Sequence, residues 1–261
     1  MDIYIKKLGK NPQVVNGFYG NGDLRPFFLT KEEVDEFQLK PYDMICWEGD
    51  IIPQIWENKY GWFDMSKDLI DIGAGAGEYP IYAGFNHSYA FEPNKRKQCL
   101  IYTNMLSCDK INDIDVLPYA ISDNPGVRNF SGWSEDMNSH SRKDPSMIEY
   151  RTLDSFAFDN VGLIKIDIEG FEYHALNSGI GTIIRNGYPP LLIEVWSEKQ
   201  LNFFFNDEER PDYIKRQQML LYLLKDLGYV MILDPRFGDW ETYFFIHNTK
   251  LNGYENPQES Y

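Results

Sequence analysis

Three glycines at alternate positions, Gly73, Gly75 and Gly77, follow directly on the apolar run Leu69-Ile70-Asp71-Ile72. A strand that turns this sharply into a helix-competent segment (Glu78-Tyr79) lets backbone approach a small polar ligand, because glycine tolerates φ > 0 and carries no Cβ. The spacing is Gly-x-Gly-x-Gly. In the Gly-x-Gly-x-x-Gly pattern of dinucleotide sites a third glycine would stand at Glu78, so an NAD enzyme would need a different turn.

About 20 residues downstream, Ser88-Tyr89-Ala90-Phe91-Glu92-Pro93 reads as a second apolar strand ending in a carboxylate. An acid at the tip of the second strand of a doubly wound sheet accepts hydrogen bonds from both ribose hydroxyls of a nucleoside. Pro93 stops the strand and Asn94 is placed to cap the next helix. The bland alternative for Glu92 is a solvated strand end. Glycine turn and strand-tip acid together favour S-adenosylmethionine as cofactor.

A third block follows: Arg-Thr-Leu-Asp at 151–154, Val-Gly-Leu-Ile-Lys-Ile-Asp-Ile-Glu-Gly-Phe-Glu at 161–172, and Leu-Leu-Ile-Glu-Val-Trp at 191–196. With the glycine turn and Phe91-Glu92-Pro93, the chain from Trp47 to Trp196 resembles the FkbM family of S-adenosylmethionine-dependent methyltransferases. Two departures stand out. The family usually has Asn-Ile where this chain has Gly75-Ala76, and Thr or Ser where it has Pro80. The resemblance implies a Rossmann-like class I methyltransferase α/β fold, with a mostly parallel seven-stranded sheet and an antiparallel last strand.

The 261 residues are enough for one enlarged α/β domain, and 43% hydrophobic with 16% aromatic residues argues against disorder. No apolar stretch approaches the roughly 20 residues that span a bilayer. The N-terminus lacks a secretory apolar core. Cys46, Cys99 and Cys108 show no metal-ligand spacing and fit thiols in a reducing compartment, so a cytoplasmic protein is expected. A net charge of −15 and no dense basic run argue against a nucleic-acid substrate.

From Asp68 onward strands are expected at 68–72, 88–92, 114–118, 161–167, 190–196, 229–234 and 242–247, with helices at 78–85, 95–107, 171–185 and 210–227. This alternation implies a parallel sheet with right-handed crossovers. The link 234–239 is too short for a crossover helix, so the last two strands pair antiparallel. Residues 1–66 lack the alternation and are expected to form an N-terminal extension, either a lid or a dimerisation arm. A helix over 31–39 capped by Thr30 is expected within it. The catalytic domain is expected to span 67–250, with a tail at 251–261. A polar insertion at 131–146, following short extra strands near Asn124-Pro125-Gly126, is expected to be either mobile surface or an active-site lid, with Trp133 and His140 favouring the lid.

Ligands in open α/β sheets bind beyond the carboxyl ends of the strands. Gly73, Ala74, Gly75, Gly77 and Glu78 are therefore assigned to the methionine end of the cofactor, with backbone N–H groups at the helix start receiving its carboxylate, and Asp71 either orients that turn or meets the cofactor's amino group. Glu92 and Pro93 are assigned to the ribose, and Ala120 and Ile121 to the adenine. Asp167, also a cofactor-side candidate, leads the catalytic candidates, with Glu169 and Glu194 behind it. The rival role for Asp167 and Glu169 is to stabilise the following helix start. The same three acids are the ligand set if a divalent metal takes part, since hard cations take carboxylates. Glu172 is expected to share a helix face with Glu169, His174 to point away as a surface residue, and Lys165 to lie within its strand, either paired to a carboxylate or reaching an edge, with no catalytic role. Trp133, His140 and Trp196 are the candidates for contacting the acceptor.

The resemblance implies an O-methyltransferase acting on a hydroxyl, with a sugar of a glycan or glycosylated metabolite as first choice. A polyketide or other small metabolite is the rival acceptor. A binding module that has lost catalysis is the alternative of another class.

Overall fold

The computed structural model describes residues 51–108, 110, 112–129, 147–197, 201–202, 206, 208, 210–232, 242–251 and 254, together with the backbone of three strands before residue 50. Those three, β1 (Gln13–Phe18), β2 (Leu24–Leu29) and β3 (Met44–Ile45), form a small sheet of order β2-β1-β3. The elements that follow are α1 (Ile51–Glu57), β4 (Asp68–Ile72), α2 (Glu78–Tyr82), β5 (His87–Phe91), α3 (Lys95–Ser107) and β6 (Ile114–Leu117). Then come β7 (Ala120–Ile121), β8 (Gly126–Asn129), β9 (Met147–Arg151), β10 (Val161–Ile166), α4 (Glu172–Asn177), α5 (Ile180–Arg185), β11 (Leu191–Glu194), α6 (Arg210–Asp226), β12 (Tyr229–Ile232) and β13 (Thr242–His247).

The main sheet has seven strands in the order β12-β13-β11-β10-β4-β5-β6. β13 runs antiparallel to both its neighbours, while β11, β10, β4, β5 and β6 run parallel. This is the mostly parallel α/β sheet expected of a Rossmann-like class I methyltransferase fold. Its order reverses at β4, so the crevice beyond the carboxyl ends of β4, β5 and β10 is where a ligand fits.

Both faces of the sheet are covered, which is why its strands are nearly continuous apolar runs. On one face Leu69, Leu163, Leu192, Phe244 and Ile246 pack against Ile51 and Ile55 of α1 and Tyr79 of α2. On the other, Ile70, Ile72, Ile164, Ile166, Leu191 and Ile193 meet Ala175 and Leu176 of α4, Ile183 of α5, and Leu220 and Leu224 of α6. Period-two alternation decides which face each residue serves. It places Asp71 and Lys165, register partners in β4 and β10, together on the first face.

Three expectations change. The single helix over 171–185 is two: Gly179 closes on Leu153, where a Cβ would stand 2.6 Å from Leu153 Cδ2, and Ser178 Oγ accepts from Leu153 N–H at 3.0 Å. Asp154, from the Arg-Thr-Leu-Asp block, then caps α5 by accepting from the N–H groups of Gly181 (3.0 Å) and Thr182 (2.6 Å). The helix expected at 78–85 ends at Tyr82, whereas the short extra strands near Asn124-Pro125-Gly126 are present as β7 and β8, each paired with β9 in the order β7-β9-β8. The strand expected at 190–196 ends at Glu194. The expected helix at 31–39 and the insertion 131–146, with Trp133 and His140, lie outside the described residues, as do Trp47 and the link 234–239. Among the described residues no helix is long and apolar enough to cross a membrane.

Candidate active site

The glycine turn is built by hydrogen bonds from its neighbours. Gly73 and Ala74 N–H groups donate to Phe91 O (3.0 and 3.1 Å), tying β4 to β5, and Asp167 N–H donates to Ile72 O (3.0 Å), tying β4 to β10. A Cβ on Gly73, at φ 85°, would stand 1.9 Å from the Asp167 carbonyl oxygen, so only glycine fits there. Gly75, at φ 57°, has no protein atom within 4 Å of such a Cβ and faces open space.

Glu92 follows β5 directly and is 5% exposed. Its Oε2 accepts from Gly75 N–H at 3.1 Å and its Oε1 from Asn94 N–H at 2.8 Å, which aims the carboxylate at the turn. Asn94 caps α3 by accepting from the N–H groups of Arg96 and Lys97. Burial raises the Glu92 carboxyl above its ordinary pKa, opposed by Lys97 and by these amides. The N–H groups of Gly73, Ala74, Gly75 and Gly77 all donate within the protein. Of these only Gly77, the residue before α2, belongs to the helix start expected to receive a cofactor carboxylate, and its N–H donates to Ala74 O at 2.8 Å.

A cleft of about 410 Å³ opens at the switch point. Gly73, Gly75, Glu92 and Pro93 line it on one side, Tyr119 to Asn124 on another, and Asp167, Ile168 and Glu169 on a third. Ala120 and Ile121 are thus on its wall, whereas Asp71, Ala74, Gly77 and Glu78 do not line it. Asp71 is 1% exposed and pairs with Lys165 at 3.4 Å. Burial raises its carboxyl above the ordinary range, with the Lys165 charge opposing. Lys165 Nζ also reaches Asp167 Oδ2 at 3.1 Å and the Gly73 carbonyl at 3.4 Å, so one buried cation joins the turn, Asp71 and the tip of β10.

Several placements correct the sequence reading. Glu194 and Trp196 do not line this cleft. Glu194 borders a small void behind it with Glu172, Tyr213 and Arg216, and Trp196, 3% exposed, stacks on Tyr213 at 5.3 Å. Burial pushes the Glu194 carboxyl well above the usual carboxylate range, with Asp167, Glu169 and Glu172 adding like charge. Among the described residues no group of three or more His, Cys, Asp or Glu is arranged to hold a metal ion, so Asp167, Glu169 and Glu194 do not form the expected ligand set. Glu169 precedes α4 instead of sharing a face with Glu172. It lies in a left-handed turn at φ 57°.

His174 is no bystander: it lines the cleft, with Nδ1 2.9 Å from Asp123 Oδ1. Asn177 Nδ2 holds the other Asp123 oxygen at 2.8 Å. Sequence reasoning also missed Lys97, Arg128, Tyr150 and Phe171 on the cleft wall. Lys97 was within reach, one turn into the helix capped beside Glu92. Arg128 and Tyr150 arrive through the β8–β9 pairing across the insertion, which no local pattern announces.

A switch-point cleft with a strand-tip acid, a glycine turn and an antiparallel β13 defines a class I methyltransferase domain. The sequence of residues 71–231 matches the methyltransferase FkbM domain, and the chain belongs to that family. Among solved structures it is similar to the methyltransferase FkbM of Methylobacillus flagellatus KT, at 19% identity and TM-score 0.48 over 71% of this chain and 44% of that one. It is also similar to M. jannaschii TYW2 in complex with AdoMet (15% identity, TM-score 0.39, 91% and 85% of the two chains). A third is the SAH-bound Podospora anserina methyltransferase PaMTH1 (13% identity, TM-score 0.43, 74% and 75%). This chain thus spans less than half the length of the Methylobacillus protein. No protein with a curated description matches it.

Proposed function

We propose that the protein is an S-adenosylmethionine-dependent O-methyltransferase whose acceptor is a hydroxyl on a sugar of a glycan or glycosylated metabolite. One observation carries the cofactor reading: Glu92 is buried at the tip of β5 and held by the amides of Gly75 and Asn94, beside a cleft that Gly75 leaves open. A carboxylate fixed in this way presents its remaining lone pairs to a pair of vicinal hydroxyls. The residues therefore fit a ribose at Glu92, the purine against Tyr119 to Ser122, and the methionine portion toward Gly73 and Asp167.

When bound, S-adenosylmethionine supplies a methyl group on a sulfonium, open to in-line displacement by a nucleophile about 3–3.5 Å away. Asp167 stands at the cleft with one oxygen held by Lys165, which fixes its carboxylate against the pull of a ligand. It is the group best placed to meet the acceptor or the cofactor's cationic end. Glu169 is the second acid on that wall. The hydroxyl acceptor and its sugar context follow the family resemblance, and the acidic chain suits a neutral saccharide better than a polyanion.

The test is transfer of labelled methyl from S-adenosylmethionine to a panel of saccharides and small phenolic or polyketide alcohols, run with and without a chelator. Methylation of a sugar hydroxyl supports the reading; exclusive labelling of the other alcohols moves the acceptor. Asp167→Asn is expected to depress turnover at least tenfold while leaving S-adenosylhomocysteine affinity within about twofold. A variant with the normal rate removes Asp167 from the mechanism.

A further inference from the structure

The backbone just beyond Asp167 is held in an uncommon form. Glu169 (φ 57°) and Gly170 (φ 97°) are two left-handed residues in succession, and the first carries a side chain. A non-glycine residue stays in that region only where its surroundings over-determine it. Here three groups do so. Glu172, 3% exposed, uses Oε1 to accept from the N–H groups of both Ile168 (3.1 Å) and Gly170 (3.0 Å). From the opposite side Arg216 of α6 donates Nε–H to the Gly170 carbonyl at 2.8 Å. Tyr213, one turn earlier on α6, fills the space a side chain at 170 would need: a Cβ there would lie 2.2 Å from its Cε2.

The arrangement separates what is held from what holds it. Glu169 and Phe171 line the cleft. Gly170, Tyr213 and Arg216 border the small void behind it. The Arg216 guanidinium bridges the two sides, 5.0 Å from the Phe171 ring centre and 5.7 Å from that of Tyr213. Trp196 stacks behind Tyr213, and Gln217 Nε2 donates to Trp196 O at 3.1 Å, so α6 is itself fixed to the end of β11.

We propose that Arg216 and Tyr213 are positioning residues of the methyl-transfer site: from α6 they hold the Glu169–Gly170 turn left-handed and so present the Glu169 carboxylate to the acceptor hydroxyl. This rests on the reading of the cleft as a methyl-transfer site. Glu169 receives the acceptor's hydrogen bond, and the two α6 residues act only through it.

The test has two readouts. Arg216→Met keeps the stem over Phe171 and removes the Nε donor. Amide exchange across 168–171 is expected to rise several-fold while β10 stays protected. S-adenosylhomocysteine affinity by calorimetry stays within about twofold, and methyl transfer to the best acceptor falls about tenfold. Glu169→Gly adopts the turn without strain but lacks the carboxylate. The double variant is then no slower than Glu169→Gly alone, because both remove the same interaction.

Unchanged exchange at 168–171 in Arg216→Met overturns the clamp, and losses that multiply in the double variant overturn its action through Glu169. If Arg216→Met folds poorly, Arg216→Leu, which likewise offers no donor to the Gly170 carbonyl, is read in the same way. If the wild-type protein binds no S-adenosylhomocysteine and transfers no methyl, the methyl-transfer reading falls, while the exchange experiment still decides whether α6 holds the turn.

Discussion

Glu172 offers a quantitative test of how the wall behind the cleft is built. Its carboxyl is 3% exposed and pushed up from 4.5 to about 7, chiefly by burial, against the N–H groups of Gly170 and Ile168 that favour the charged form. The folded protein therefore holds a proton at this position that the unfolded chain has already released. Stability falls as pH rises from about 4.5 to about 7 and stays at the lower level above that, since the native state binds more protons across this window. At 1.36 kcal/mol per pH unit, an interval of that width corresponds to roughly 3 kcal/mol. Glu172→Gln keeps an Oε1 that accepts from both amides and removes the ionisation. The variant is expected to be more stable than wild type at pH 8, by up to about 3 kcal/mol, with the two nearly equal at pH 4.5. Urea denaturation across pH 4.5–8 measures this directly, with m-values checked for equality. If the curves for wild type and variant run parallel over the whole range, Glu172 does not titrate in the native state and the account of its environment is wrong.

The two glycines at the head of the turn are expected to fail in different ways. Gly73→Ala drives a Cβ into the Asp167 carbonyl at 1.9 Å and should destabilise the fold by roughly 2–4 kcal/mol in thermal or urea unfolding. Gly75→Ala meets no protein atom within 4 Å, so it should cost only the ~1–2 kcal/mol of a left-handed alanine. It should still weaken S-adenosylhomocysteine binding by filling the cleft; equal stability losses at both positions would refute this division. Glu92→Ala removes a carboxylate held by the amides of Gly75 and Asn94 and should weaken cofactor binding by roughly 1–3 kcal/mol. Unchanged affinity in calorimetry would remove Glu92 from the ribose.

Where the site depends on strand tips, it was legible in the sequence. β4, β5 and β10 are short apolar runs whose ends are marked by glycine, by Glu92-Pro93 and by Asp167, and in a parallel sheet those ends converge. What was not legible depends on packing between distant segments. Glu194 also ends a strand, yet the side chains of α6 close over it and place it behind the cleft. The break between α4 and α5 comes from Leu153, 26 residues before Gly179, pressing on that glycine. A helix that puts Glu169 and Glu172 on one face leaves His174 pointing away from them. With Glu169 left-handed, the helix starts at Glu172, and position 174 turns toward Asp123.

The segment Lys165-Ile166-Asp167-Ile168-Glu169-Gly170-Phe171-Glu172 thus carries two kinds of demand in eight residues. Asp167, Glu169 and Phe171 face the cleft, and Lys165, Gly170 and Glu172 face the protein. Two of the inward-facing residues are ionisable groups that are costly to bury without partners, and each has them: Asp71 and Asp167 for Lys165, two amides for Glu172. The motif is specific because its outward residues need the inward ones. The Asp167 carboxylate in the cleft is paired with a buried cation, and Glu169 sits in a turn that glycine at 170 and the Glu172 side chain make possible. A pattern of this kind is set as much by what the backbone must do as by the chemistry it serves. Searching only for the outward acids, as the sequence reading did with Glu194, therefore selects residues that share a strand end but not a surface.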